Sequence, residues 1–402
     1  MTEQTSATRP SVVIAGGGVA ALEAVIALRD LAGDRVNVTL VAPEPDFVYR
    51  PLSVAEPFCL GHAAHHPLRG IARDFGADVV RGSLRAVDAD NSRVILDDVS
   101  ELPYDSLLVA VGARMEPAFR HGITFGADGA PEALSGLIAD LEDGYAKRVA
   151  FVVPSSTAWT LPLYELALMT ARDVWSAGID NVELTFVSPE ERPLDIFGPE
   201  ASALVAQLLA SEGIRFVGPV GADVELGAVV AGDERIAVDR TITLPVPVGP
   251  EIDGLPGDEH GFVRVDKHGR VEGLAGVYAA GDVTASPIKQ GGLAAQQAVA
   301  AAESIAAHHG ADLDPEPYRP ILRGMLLTGG RERWMRASTG GTPAEPRTSL
   351  HALWWPPTKI ATRYLAPYLM GRDAQQLQAR PRNAHPVVRE LEFIGAPGKP
   401  GD

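Results

Sequence analysis

Residues Val12 to Glu23, VVIAGGGVAALE, decide the fold. A β-branched apolar run meets three glycines and then an alanine-rich, helix-favouring segment, which is the strand–turn–helix order of a dinucleotide-binding unit. Gly16 permits the tight turn, and Gly18 carries no side chain, so the backbone can come close to a pyrophosphate. Ala21, in the third small position, lets the helix pack closely on the strand. The helix N-terminus then turns unpaired N–H groups and a positive dipole end toward the phosphates.

Downstream of this unit the helix is expected to run to about Leu31, and Val36–Val41 reads as a second parallel strand ending at Ala42-Pro43-Glu44. An acidic residue about twenty positions past the glycines accepts hydrogen bonds from ribose hydroxyls, which makes Glu44 a displaced candidate against a solvated loop carboxylate. Arg50, in FVYRPL, either faces the cofactor or lies on the surface. Cys59, His62, His65 and His66 have no distant second pair of ligands, so they read as a helix or loop with exposed histidines and not as a metal site. Asp78 to Leu96 reads as a hairpin-like excursion turning at Asp88–Ser92. Tyr104 to Ala113 then forms a buried strand ending in small residues, where Ala110 and Gly112 let backbone pass close to a bound cofactor.

After a connector with a helix (Gly126–Gly144), the opening pattern recurs: a strand at Arg148–Val153, a helix at Leu161–Trp175 and a strand at Val182–Val187. Even the strand exits rhyme, Val41-Ala42-Pro43-Glu44 against Val187-Ser188-Pro189-Glu190. Aligning Glu165 with Glu23 puts Ala158, Thr160 and Leu163 where the first copy has Gly16, Gly18 and Ala21. No glycine occurs from Tyr145 to Ala177, so a second nucleotide site of the NAD(P) type is expected to be degraded. A helix at Asp195–Glu212, a strand at Ile214–Val217, short β segments from Val224 to Leu244 and a Pro/Gly-rich crossing from Pro245 to Pro256 complete this half.

Val277-Tyr278-Ala279-Ala280-Gly281-Asp282 is another strand running into a glycine and a carboxylate, followed by Pro287, Lys289, Gln290, Gly291, Gly292 and an alanine-rich helix. Asp282 is placed to hold a ribityl hydroxyl, and the helix N-terminus near Gly292 to face the pyrimidine side of a flavin.

At 402 residues the chain implies two or three domains. The expected division is a first dinucleotide-binding domain at 1–115, a degenerate second one at 116–244, a return to the first at 245–310 and an interface or lid region at 311–402. The class is α/β, with two Rossmann-like domains of which the first is discontinuous. A single cysteine excludes an internal disulfide framework, and a formal net charge of -17 argues against nucleic acid as a partner. The leader lacks the apolar core of a secretory signal, and no run approaches the ~18 apolar residues of a membrane span. A cytoplasmic protein is expected, with attachment to the inner face of a membrane left open. The last region carries a strand at Tyr318–Leu327, a basic cluster at Arg331–Arg336 and an aromatic, basic stretch from Trp354 to Met370. That stretch suits either a bilayer interface or a packing or dimer surface.

GGGVAALE, YDSLLVAVGA and VYAAGDV, in this order over about residues 10 to 310, resemble the flavoproteins with two dinucleotide-binding domains, the disulfide-reductase superfamily. Within it the chain is similar to the branch of sulfide:quinone oxidoreductases, flavocytochrome c sulfide dehydrogenases and type II NADH dehydrogenases. The resemblance implies FAD as cofactor, with Gly16, Gly18, Val19 and Ala20 at the pyrophosphate and Asp282 near the ribityl chain. Pro287 to Gly291 is similar to the proline-x-lysine-x-glycine turn of the sulfide-oxidising members, which implies a place for Lys289 beside the isoalloxazine. There Lys289 and the helix after Gly292 would stabilise the reduced flavin, with Gln290, Gly281 and Gly292 completing the site. The chain departs from those relatives in two respects: it has one cysteine where sulfide oxidation uses two, and it lacks the glycine-rich second turn that binds NADH. The expected function is an FAD-dependent oxidoreductase passing electrons from a small donor to a quinone or similar acceptor. An NAD(P)H dehydrogenase with an atypical site and a non-catalytic flavin-binding partner or sensor are the alternatives.

Overall fold

The structure, a computed structural model, describes residues 9–157, 159–338 and 346–379. Ala158, which the repeat aligns with Gly16, and residues 380–402 of the last expected region lie outside the described residues.

The chain begins with β1 (Ser11–Ala15), α1 (Val19–Ala32), β2 (Asn37–Ala42), β3 (Asp78–Arg81) and β4 (Ser106–Val109). It continues through β5 (Ile123–Thr124), α2 (Ala130–Glu142), β6 (Arg148–Val152), α3 (Leu161–Ser176), β7 (Glu183–Val187), α4 (Pro199–Ser211), β8 (Ile214–Val217) and β9 (Arg240–Thr243). It returns through β10 (Val277–Ala279) and α5 (Gly291–His308), and closes with β11 (Ile321–Leu326), β12 (Arg333–Ser338), β13 (Arg347–Ser349) and α6 (Leu365–Ala379).

Two five-stranded parallel sheets result, ordered β10-β4-β1-β2-β3 and β5-β9-β6-β7-β8. Four strands follow the same order in both, β4-β1-β2-β3 and β9-β6-β7-β8, while the outer fifth strand comes last in sequence in the first sheet and first in the second; each half inserts a three-stranded meander before its last shared strand, at 84–103 and at 222–237. Central strands read as continuous apolar runs because both faces are covered: Val12, Val13 and Ile14 are fully buried, with Val13 between Thr39 and Leu107. The two crossings between the halves pair with each other, Arg114–Pro117 against Pro245–Val248 in antiparallel register.

Three local expectations change. Asp78–Arg81 is not part of a hairpin; it pairs in parallel with β2 as the sheet edge, and the hairpin is confined to 84–96. The helix expected from Asp195 is broken, with a single 3-10 turn ending at Gly198 (φ +87°) before α4 starts at Pro199. A residue before proline avoids the helical region, so the Gly-Pro step restarts the helix. His66 is buried: it lies on a short strand (Ala64–Pro67) opposite Phe47, their rings stacked with centroids 6.1 Å apart, so only its neighbours face outward.

Candidate active site

A cavity of about 620 Å³ runs along the C-terminal ends of β1, β2 and β4, where an open parallel sheet receives its ligands. Gly16, Gly18, Val19, Glu44, Arg50 and Gly112 all line it. Gly16 has φ +132°, and a Cβ there would sit 2.1 Å from the Ala110 carbonyl oxygen, so protein geometry alone demands glycine. At Gly18 and Gly112 a Cβ would meet nothing within 4 Å. These two glycines face open space that a side chain would fill, which is the cradle a pyrophosphate requires.

The remaining residues serve from behind the wall. Ala20 and Ala21 are buried in α1, whose alanine face packs on the alanine face of α5. Ala110 is buried at the turn against Gly16. Gly281 (φ +85°) sits between the two helices, its hypothetical Cβ 3.2 Å from that of Ala20 and 3.4 Å from that of Ala294. Its N–H donates to Gln297 Oε1 at 2.7 Å. Asp282 is half-buried with its pKa raised by burial, against the pull of Lys289. The Lys289 ammonium donates to the Thr284 carbonyl at 2.5 Å and lies 3.5 Å from the Phe262 ring centroid. Burial lowers its pKa to about 8, opposed by Asp282 and Asp258. Gln290 is extended (φ -151°, ψ 131°), so adjacent side chains diverge: Gln290 lines a cavity, whereas Lys289 does not line either cavity.

A second cavity, of about 730 Å³, shares Val48, Arg50, Pro51 and Ile360 with the first. Its wall is mainly apolar, from Val54, Met115, Phe125, Leu134, Trp159 and Leu161, and among its polar residues, which include Arg50, Glu56, His65, Asp128, Glu132 and Arg323, are Gln290 and the Glu165–Lys359 pair. Glu165 is fully buried on α3 and accepts from Lys359 Nζ at 2.7 and 2.5 Å and from the Leu327 N–H at 2.8 Å. Burial raises its pKa even against the neighbouring ammonium. Gln290 caps α5, its Oε1 accepting from the Leu293 N–H. Gly292 lies behind Gln290, against the Ala361 carbonyl. Cys59 is exposed and lines neither cavity.

In the second half, the place of a ribose-binding carboxylate is taken by Glu190, just past the end of β7. It receives hydroxyl hydrogen bonds from Tyr164 (2.7 Å), Ser188 (2.9 Å) and Thr160 (3.1 Å). The preceding loop carries Trp159, packed against Phe197 at 6.0 Å, and α3 begins with buried Leu161 and Leu163. Of the residues aligned with the glycines of the first copy, Thr160 thus bonds this carboxylate and Leu163 is buried.

The 354–370 stretch is largely turned inward. Trp354 packs against Trp334, Tyr364 and Tyr368 donate to Asp30 and Asp74, and Lys359 is the partner of Glu165. Trp355 and Met370 are its exposed large apolar side chains. No helix among the described residues is long and apolar enough to cross a membrane.

Sequence reasoning did not find Gly82, Ser83, Pro250 and Ile252 on the first cavity, Gln297 at the Gly281 turn, or Glu165 with Lys359 on the second. Glu165 had a signal, a carboxylate in an apolar helix at the repeat position of Glu23. The rest carry none until the topology is known.

The pyridine nucleotide-disulphide oxidoreductase family matches residues 4–140 and 165–303, well over half of the chain. The ferredoxin reductase component of a chlorobenzene dioxygenase from Cupriavidus sp. (strain PS12) is 26% identical over 327 residues, 74% of this chain and 75% of that protein. The sulfide:quinone oxidoreductase of Aquifex aeolicus superposes with a TM-score of 0.77 over 92% of this chain and 90% of its own, at 20% identity. A ferredoxin reductase from Rhodopseudomonas palustris does so with a TM-score of 0.61 over 83% of each, at 19% identity. The chain therefore belongs to the pyridine nucleotide-disulphide oxidoreductase family, and FAD is its cofactor.

Proposed function

We propose that the protein is an FAD-dependent oxidoreductase that reduces a small apolar acceptor of the quinone class in the 730 Å³ cavity. The observation that carries this reading is the Glu165–Lys359–Gln290 group, set in a mainly apolar wall that is continuous with the dinucleotide cavity. FAD, when bound, supplies the redox chemistry. The protein's own task is then to admit an apolar ring, orient its carbonyls and deliver protons. Lys359 is a donor to a carbonyl oxygen, and Glu165, with its raised pKa, returns the proton to it. The hydroxyls around Glu190 support a donor other than a nicotinamide dinucleotide.

Purified FAD-loaded protein, reduced anaerobically with dithionite, should be reoxidised rapidly by a soluble quinone, and the oxidised protein should remain unbleached by NADH or NADPH. Lys359→Met and Glu165→Gln should each slow quinone reoxidation by about a hundredfold while keeping flavin bound. Wild-type rates in both variants would remove the pair from the reaction. Loss of Lys359 also leaves Glu165 buried without its cation, and the raised pKa fixes the sign. Protonated Glu165 tolerates the loss, so Lys359→Met should be least destabilised at the acid end of the range and increasingly so as pH rises, read by thermal unfolding.

A second reading, electron exchange with a small redox protein, is favoured by the 26% identity to a ferredoxin reductase component. It predicts reoxidation by an added ferredoxin and insensitivity to the two variants. Attachment to a membrane would rest on Trp355 and Met370, and co-sedimentation with vesicles that survives changing both to Ser would exclude that contact.

A further inference from the structure

The dinucleotide cavity and the acceptor cavity meet at Val48, Arg50, Pro51 and Ile360. Tyr49, in the middle of that run, lines neither of them. It ends the short strand Asp46–Tyr49, which pairs with Ala64–Pro67, and its ring meets Phe47 edge to face with centroids 6.4 Å apart. Its hydroxyl accepts from the Ile360 N–H at 2.9 Å. The partition between the two cavities is thus made of two distant segments of chain, joined through a side chain that stands behind it.

Ile360 closes a tight turn that carries Lys359. The Thr358 N–H donates to the Pro356 carbonyl at 2.8 Å, the Trp354 indole N–H to the Thr358 carbonyl at 2.9 Å and the Thr358 hydroxyl to the Ile360 carbonyl at 2.8 Å. All these bonds begin and end inside residues 354–360. Among the described residues, the bond to Tyr49 is the hydrogen bond that joins the backbone of this turn to another element. Packing supports the turn at Trp354, against Trp334, and at Ile360, whose Cδ1 would lie 3.0 Å from a Cβ on Gly291 at the start of α5. Lys359 is therefore fixed at its ammonium end by Glu165 and at its backbone end by Tyr49. Burial raises the Tyr49 pKa, against hydrogen bonds from Ile360, Thr358 and Lys359, so the group stays a neutral phenol around neutral pH.

We propose that Tyr49 is a positioning residue, whose hydroxyl holds the 358–360 turn so that the Lys359 ammonium meets Glu165 on the wall of the acceptor cavity. Its bearing on the reaction rests on the reading that a quinone is reduced there, and the test separates the two. FAD-loaded wild type, Tyr49→Phe and Lys359→Met are unfolded thermally across the pH range. Buried Glu165 without its cation is tolerated when protonated and costly when ionised. Tyr49→Phe should therefore lose more melting temperature as pH rises, in the same direction as Lys359→Met and by less. A hydrogen bond that merely braces the fold gives a loss equal at every pH, and that result overturns the proposal. Arg50, Glu56, His65, Asp128, Glu132 and Arg323 on the same wall, and the Leu327 N–H on Glu165, are present in every variant and cancel in the comparison.

Quinone reoxidation should slow about tenfold in Tyr49→Phe, the worth of one hydrogen bond. The double variant Tyr49→Phe, Lys359→Met should be no slower than Lys359→Met alone, because the phenol acts through the ammonium. A further slowing of about tenfold in the double variant also overturns the proposal. Wild-type quinone rates in Lys359→Met, together with pH-dependent melting of Tyr49→Phe, would end the quinone reading and leave Tyr49 as the residue that places Lys359. Should Tyr49→Phe fail to fold, Thr358→Val, which opens the same turn at the Ile360 carbonyl, should show the same pH-dependent loss, and a flat loss there counts equally against the proposal.

Discussion

Gly16 is the residue at which sequence and structure constrain each other most tightly. Its positive φ and the Ala110 carbonyl 2.1 Å from any added Cβ leave no room for alanine. Gly16→Ala should cost about 3 kcal/mol and release the flavin, read as lost absorbance at 450 nm. Lys289 sets a different test. With its ammonium titrating at about pH 8, any influence on the flavin fades as pH rises through that value. The flavin midpoint potential should therefore bend near pH 8, and Lys289→Met should abolish the bend; an unchanged profile excludes Lys289 from the redox site. Gly16 and Gly18 were legible in the sequence because backbone needs are local. Glu165 and Lys359 were not legible as a pair, since 194 residues separate them and only the folded chain joins them.

At the scale of elements, the alanine-rich faces of α1 and α5 announce helices in close contact, and Gly281 is where they pinch the β10 turn. The restart at α4 was missed because a continuous apolar period across Asp195–Glu212 outweighed the Gly-Pro step within it. β6 and β9 are joined beyond their ladder by Asp239, which accepts from the backbone of Lys147 and Arg148 and from the Arg148 guanidinium at 2.7 Å. Those bonds, the Arg148 side chain foremost, hold its pKa down at about 2. Because the folded value is depressed, the stabilisation is present above the ordinary carboxylate range and is lost as pH falls toward 2. With Arg148 partly exposed, Asp239→Asn should cost about 1 kcal/mol at pH 7. Wild type and variant should converge in urea melts as the pH is lowered through 3.

For the whole molecule, the repeat was readable because each half repeats one apolar pattern and one strand exit. The long-range closure was not, because the 321–365 chain reveals its role only through what it touches. Two buried glutamates at matching positions of α1 and α3 both reach for that chain: Glu23 takes the N–H groups that open α6, and Glu165 takes Leu327 and Lys359. A chain ending at Thr358 leaves Glu23 buried without its three N–H donors and Glu165 buried without its cation, at about 3 kcal/mol or more each. It should be insoluble or flavin-free on expression, whereas a chain ending after Ala379 should load FAD. The same placement imposes an order on synthesis. Neither half can finish its interior while the ribosome still holds Leu365, so both sheets are sealed only after residues 359–365 have been made.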